Sequence, residues 1–261
     1  MHSLISINKK FMEVTPNRLV ELILNTKSVK GVEAYIDIEN PNELKYLEDL
    51  VFLLKKNNLI LQIHANSNVN IKDQLKYMKL LEGYALELNQ VIPVTFHSLY
   101  NEDKVKSLMD TIIYLSEITS KTSDNLAICL ENLNDEKGYD RLEKEYIRPV
   151  ILNDERLYLT YDIGHEIADF GDITNLDSYY AEEIRNVHIH TNDLQGHDHL
   201  PIYLNDVNYN LIVKGLTYLK YIKYVGNIVY EYDLYACKGN TIEEKIIDYL
   251  NSIDLISEHY N

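Results

Sequence analysis

Residues 159–165 read Leu159-Thr160-Tyr161-Asp162-Ile163-Gly164-His165, a short apolar run that ends in a carboxylate and, three residues later, an imidazole. The same pattern recurs along the chain, at roughly one apolar run every 30 residues. Seven of the nine histidines follow such runs. Reactive side chains that recur at strand ends, instead of clustering in one segment, are typical of a barrel in which they converge on one point.

The spacing of the apolar runs predicts eight strands, near 3–8, 32–37, 59–64, 92–97, 126–131, 157–162, 186–191 and 227–232. Helical patterns lie between them. Thr15-Pro16 and Asn40-Pro41 are typical helix starts, whereas the patterns at 138–149 and 175–183 are short and weak. Alternating strands and helices predict an α/β fold, here a single (β/α)8 TIM barrel domain over residues 1–261. A Rossmann sheet is disfavoured, because the turn after the first strand contains no glycine.

The composition of the chain limits which binding partners and which cellular compartment are expected. The net charge of −16 disfavours binding to a polyanion, so we expect no nucleic acid partner. No apolar run approaches the roughly 18 residues of a membrane span, and the N-terminal segment does not fit a signal peptide. Cys129 and Cys237 have no paired spacing. We therefore expect a cytoplasmic protein with no membrane partner; whether its copies form a homo-oligomer stays open.

Four residues at the ends of the last four predicted strands are candidate metal ligands: Glu131, Asp162, His190 and Glu231. Three carboxylates and one imidazole suit a divalent cation such as Mn, Co, Mg or Zn. His188 lies two residues before His190 on the same strand face, so we expect it one layer deeper, as a hydrogen-bonded neighbour and not a ligand. The alternative for Asp162 is a cap for a following helix.

Three further histidines are expected to face the same bowl. His64 and His97 end the third and fourth strands, and His165 follows Asp162 by three residues. Either His64 or His97 alone would be equally well explained as a structural histidine. Together with the other strand-end residues, they favour a functional site.

This ordered set resembles the xylose isomerase-like TIM-barrel superfamily, which includes sugar phosphate isomerases and epimerases and endonuclease IV. The motifs in order are Phe96-His97, Glu131-Asn132, Asp162-x-x-His165, His190-x-Asn192-Asp193, His197-Asp198-His199-Leu200-Pro201 and Glu231. Resemblance to the epimerases implies one divalent metal on Glu131, Asp162, His190 and Glu231. Resemblance to endonuclease IV implies three zinc ions.

The additional zinc ligands implied by the second resemblance map onto His64, His97, His165 and His199. His197 occupies a position where that family has aspartate, and it is kept as a further candidate ligand. Asp198 fits the expected aspartate only if the register shifts by one residue. The glycine-rich stretch that follows Leu-Pro in the family is replaced by residues 202–205.

The resemblance implies a metal-dependent sugar or sugar phosphate isomerase or epimerase. Glu131 and Glu231 would exchange a proton with the carbon next to the substrate carbonyl, through an enediolate, and His165 would orient a hydroxyl. One alternative is a phosphodiesterase related to endonuclease IV, of AP endonuclease family 2. Another is a degenerate barrel that binds a ligand without turnover.

Overall fold

Eight parallel strands hydrogen-bond in chain order and close into a barrel, because β1 also pairs with β8. This confirms the predicted (β/α)8 fold. The structure, a computed structural model, describes residues 1–67, 69–99, 103–132, 150–151, 154–170, 173, 183–193, 197–204 and 206–258. The strands are β1 His2–Ile7, β2 Val29–Tyr35, β3 Ile60–His64, β4 Ile92–Phe96, β5 Leu126–Glu131, β6 Leu157–Asp162, β7 Ile184–Ile189 and β8 Asn227–Tyr230.

Seven α-helices lie in the described ranges: α1 Pro16–Leu24, α2 Pro41–Asn57, α3 Ile71–Leu88, α4 Lys104–Lys121, α5 Ile163–Phe170, α6 Tyr209–Tyr221 and α7 Ile242–Ser257. The first two begin where the sequence predicts, since Thr15 and Asn40 accept hydrogen bonds from backbone N–H groups of the first turn. Segment 138–149 lies outside the described residues, as does 175–183 except for its last residue. None of the helices that the structure describes is long and apolar enough to cross a membrane.

Side chains along each strand point alternately to the outer layer and to the interior of the barrel. On β3, Leu61 and Ile63 are fully buried in the apolar cluster that also contains Leu47 of α2. The intervening residues Gln62 and His64 are buried on the opposite strand face, which lines the barrel interior. Strand alternation therefore gives the barrel an apolar outer layer beneath its helices and a polar interior.

Polar side chains inside the barrel form a hydrogen-bonded floor. Asn186 Nδ2 donates to Glu33 Oε2 at 2.8 Å and to Thr95 Oγ1 at 3.3 Å. The hydroxyls of Thr95 and Thr160 are 2.8 Å apart. All four residues have no exposed surface. Buried polar groups are costly unless they are paired, so this network holds the interior side chains that lie beneath the strand-end residues in fixed positions.

The connection after β6 is unusually direct, because α5 begins at the next residue. Asp162 Oδ1 accepts a hydrogen bond from the backbone N–H of His165 at 2.8 Å, as a helix cap does. The capping alternative considered for Asp162 is therefore realised, and it is compatible with a place in the site.

Candidate metal centre

Four side chains meet at the carboxyl ends of β5 to β8: Glu131, Asp162, His188 and Glu231. Each offers one ligand atom, and these atoms all lie within 4.8 Å of one another. We call this set the central cluster. Asp162 Oδ2 is completely buried and has no hydrogen-bond partner among the described residues. Three carboxylates around an imidazole, one with an unsatisfied buried oxygen, fit a divalent cation.

The imidazole in the central cluster is that of His188, whereas the sequence pattern pointed to His190. The reason is the register between strands: His188 lies directly beside Asp162 of β6 and Val229 of β8. His190 follows the end of β7, two residues further along. The structure therefore places His190 one layer above the position that was expected for it.

Carboxylate oxygens of the other three residues in the central cluster surround one nitrogen of His188. His188 Nδ1 lies 2.8 Å from Glu131 Oε1, 3.2 Å from Glu231 Oε2 and 3.9 Å from Asp162 Oδ2. A bound cation would take the place of a proton at this nitrogen.

His64 and His97 contact the second oxygen of Glu131. Their Nε2 atoms lie 3.2 Å and 3.0 Å from Glu131 Oε2. The three residues form another group with metal-ligand geometry, which shares Glu131 with the central cluster. The structure thus brings both histidines to the predicted bowl, with Glu131 as a bridge between the two groups.

A further group lies above the central cluster and contains His165, His190, Asp198 and His199. We call it the outer cluster. His190 Nδ1 is 2.9 Å from Asp198 Oδ1, and His165 Nε2 is 3.8 Å from Asp198 Oδ2. His197 lies outside every such group in the described part of the chain: its side chain is 74% exposed and pairs with Asp193 at 2.6 Å.

Electrostatic interactions among the site residues favour the charged forms of both Glu131 and His188. Burial alone would raise the pKa of Glu131, but His188, His64 and His97 outweigh burial and hold its pKa well below the usual value. Burial alone would lower the pKa of His188, but Glu33, Glu131 and Glu231 raise it well above the usual value. Cation binding must therefore displace protons from imidazoles that the carboxylates hold strongly.

Glu33 is a site residue that the sequence reasoning missed. It lies on β2 with no exposed surface, and its Oε1 is 2.9 Å from His188 Nε2, on the far side of the ring from the central cluster. A carboxylate in this position orients a metal-binding imidazole. The available signal was a single charged residue inside the apolar run Val32-Glu33-Ala34, which is costly to bury unless it has a partner.

Known proteins resemble this chain in three-dimensional structure. A D-allulose 3-epimerase from Methylomonas sp. matches 99% of this chain and 98% of its own, with a TM-score of 0.72 and 10% identity. A D-psicose 3-epimerase from Clostridium cellulolyticum H10 matches 100% of both chains, with a TM-score of 0.67 and 13% identity. A xylose isomerase domain protein from Alicyclobacillus acidocaldarius matches 99% of both, with a TM-score of 0.69 and 14% identity.

Sequence comparison alone gives no such link, since no protein-family model and no curated protein matches the chain. The structural likeness covers 99–100% of this chain, whose eight strands close into one barrel. The chain therefore has the xylose isomerase-like TIM-barrel fold.

Proposed function

We propose that this chain is a metal-dependent isomerase or epimerase of a small sugar or sugar phosphate. The central cluster carries the proposal, because it places two glutamates from separate strands beside one candidate cation position. The epimerases with the same fold, named for D-allulose and D-psicose, support a substrate of this class.

A cation held by the central cluster would stabilise negative charge on the substrate oxygens and so make the neighbouring C–H more acidic. The two glutamates differ in access to a substrate. The side chain of Glu231 is 19% exposed, whereas that of Glu131 is 1% exposed. We therefore assign Glu231 as the base that removes the proton from the bowl side.

Glu131 is the partner that returns a proton in this scheme. It is buried, but its Oε2 lies 3.0 Å from Nε2 of His97, whose side chain is 42% exposed. His97 thus offers a route for protons between Glu131 and solvent. His165, predicted to orient a substrate hydroxyl, has Nδ1 on the Asn132 carbonyl and Nε2 towards Asp198, so we leave it out of the proton transfer.

The test is exchange of substrate hydrogen with solvent. Protein loaded with Mn²⁺ or Co²⁺ is incubated in D₂O with a panel of ketoses and ketose phosphates, and deuterium at the carbon next to the carbonyl is measured by NMR. We expect Glu231→Gln and Glu131→Gln each to slow exchange by about 10²–10⁴-fold. Glu243→Gln, at a half-exposed helix position paired with Arg18, is the matched control and should exchange normally. Undiminished exchange in the two site variants would exclude this mechanism.

Phosphodiester hydrolysis is a second candidate, and the group of His64, His97 and Glu131 favours it. Two ligand groups that share a carboxylate can hold two cations, which is an arrangement that suits attack on phosphate esters. Two observations disfavour a phosphodiester substrate. The net charge of the chain is −16. In addition, the nearby Lys10 already pairs with a carboxylate, since its Nζ lies 2.7 Å from Asp233 Oδ1.

His64 distinguishes the two reactions, because the isomerase scheme gives it no role, whereas hydrolysis would use it as a ligand of the second cation. With bis(p-nitrophenyl) phosphate and an abasic DNA duplex as substrates, hydrolysis that is lost in His64→Asn, while deuterium exchange stays absent in all variants, would favour the phosphodiesterase. Tight metal binding with neither exchange nor hydrolysis would favour a barrel that binds ligands without turnover.

A further inference from the structure

A cavity of about 360 Å³ lies at the amino ends of β4 to β7, at the end of the barrel opposite the central cluster. The second residue of each of these strands lines it, together with segment 122–124 that follows α4; the four strand residues are Pro93, Ala127, Tyr158 and Arg185. The candidate metal centre lies at the carboxyl ends of the strands, so the cavity is separate from it. Small-molecule sites span about 300–1,000 Å³, and this volume is near their lower limit. A small ligand would therefore fill the cavity.

Arg185 reaches this cavity from a β-bulge. Ile184 and Asn186 pair with consecutive residues of β6, so the residue between them, Arg185, is extra on β7. Its guanidinium carbon lies 4.3 Å from the ring centroid of Tyr158, which is a cation–π contact. Bulges are common at the rims of barrels, where they redirect a side chain. The bulge thus directs an exposed arginine over an aromatic ring in the lining of the cavity.

Arg156, the residue before β6, is the second arginine that lines the cavity. Its Nε lies 3.5 Å from Asp154 Oδ1, and its Nη1 donates to the carbonyl oxygen of Thr122 at 3.3 Å. Asp154 is itself held in place, because its Oδ2 accepts a hydrogen bond from Thr119 Oγ1 at 2.7 Å. In the part of the chain that the structure describes, nothing accepts a hydrogen bond from Nη2 of Arg156. These contacts orient the guanidinium and leave donors for a ligand.

The charges around the cavity favour an anion over a cation. Two of the chain's five arginines line this one cavity, although acidic residues outnumber basic ones by 41 to 25 in the whole chain. Asp124 is the one acidic residue among the described lining residues, and it is exposed, so water and salt screen its charge. Apolar side chains such as Pro93 and Leu126 also line the cavity. Guanidinium groups beside apolar side chains suit a ligand that is partly anionic and partly apolar.

We propose that this cavity binds a small organic anion, in which a ring or other apolar body carries one carboxylate or phosphate group. Arg156 and Arg185 hold the anionic group through charge-assisted hydrogen bonds, for which the guanidinium geometry is suited. The apolar body lies against Pro93 and Leu126, where its surface is removed from water. Binding here does not depend on the reaction at the central cluster, which lies at the other end of the barrel.

Calorimetry on the full chain, with four small probes, tests both features of the ligand. Phenyl phosphate and benzoate each combine a ring with an anionic group, whereas inorganic phosphate lacks the ring and benzamide lacks the charge. We expect one-to-one binding of phenyl phosphate, benzoate or both, and the tighter of the two identifies the anionic group. Inorganic phosphate and benzamide should bind at least about tenfold more weakly. No binding of either ring-bearing anion, or equal affinity for one of the other two probes, would overturn the proposal.

Replacement of the arginines locates the binding. Arg185→Gln and Arg156→Gln should each weaken binding of the anions by about tenfold to a hundredfold. Lys121→Gln is the matched control, because it removes a positive charge at an exposed position beside Thr122 but outside the described lining; its affinity should be that of the wild type. If Arg156→Gln fails to fold, Arg185→Gln serves alone, since its side chain is exposed. Unchanged affinity in Arg185→Gln, or an equal loss in Lys121→Gln, would contradict the site.

A chemical readout shows whether the ligand occupies this cavity. Both cysteines of the chain are buried, so in Ser123→Cys the introduced thiol, at an exposed position of the lining, is the one that iodoacetamide should alkylate. The anion that binds by calorimetry should slow this alkylation in proportion to its occupancy. In the double variant Ser123→Cys/Arg185→Gln the same concentration should have little effect. An alkylation rate in Ser123→Cys that the bound anion leaves unchanged would show that it binds elsewhere, and would overturn the site.

Discussion

Gly164 offers a direct test of how tightly His190 is held. In Gly164→Ala the new Cβ would meet three ring atoms of His190 at 2.3–2.5 Å, whereas ordinary contact begins near 3.4 Å. The ring or the first turn of α5 must therefore move by about 1 Å, and overpacking of a filled core costs about 1–3 kcal/mol. Alanine recovers up to about 1 kcal/mol in helix propensity.

The net expectation for metal-free Gly164→Ala is a loss of about 1–2 kcal/mol in the free energy of unfolding, or about 2–8 °C in Tm. Gly83→Ala is the matched control, because Gly83 also lies in a helix but a Cβ there would have nothing within 4 Å. That variant should gain up to about 1 kcal/mol. Thermal and urea unfolding give both values. If the two variants were equally stable, His190 would not be wedged against α5.

Three other outcomes are expected. Glu33→Gln should weaken Mn²⁺ binding at the central cluster by about tenfold to a hundredfold, measured by calorimetry, and unchanged affinity would show that Glu33 does not orient His188. Burial lowers the pKa values of His188 and His190, but nearby carboxylates raise both well above 6.5. Protonation of the two histidines therefore contributes its full stabilisation below pH 6.5, and this contribution is lost as the pH rises through the raised pKa values. Tm of the metal-free protein should therefore fall as the pH rises above 6.5, while cation affinity rises, and a Tm that climbs as the pH rises would contradict the assignment. Burial raises the pKa of the thiols of Cys129 and Cys237 to about 12, so a thiol reagent at neutral pH should label them only after unfolding.

The barrel could be predicted because its signal is repeated. Each apolar run alone is ambiguous, but eight runs at similar spacing, with helix starts such as Thr15-Pro16 between them, agree with only a few architectures. Glu131, Asp162 and Glu231 could be brought together for the same reason, since the carboxyl ends of parallel strands lie at one end of a barrel.

The choice between His188 and His190 could not be made from the sequence. Residues two apart on a strand share a face, and which of them lies level with Asp162 depends on the register between β6 and β7. Register is fixed by pairing across the whole sheet and by an irregularity between Leu159 and Thr160, which no local pattern announces.

Glu33 and the outer cluster were hidden for a different reason. Glu33 is separated from His188 by more than 150 residues, and its importance appears only when β2 and β7 both line the barrel interior. Asp198 directly precedes His199, so it fits the aspartate that the resemblance implies only if the register shifts by one residue. The left-handed backbone of His199, with φ of +54°, turns the segment so that neighbouring residues reach the same position.

Asp162 both caps α5 and belongs to the central cluster, so the backbone N–H that it accepts from can report cation binding. The N–H of His165 donates to the very carboxylate that the central cluster presents to a cation. Any ion that draws electron density from that carboxylate weakens this hydrogen bond, so the nitrogen resonance and deuterium uptake of a single amide should register occupancy. The backbone N–H at the first turn of α5 would then report the binding of a cation to Asp162.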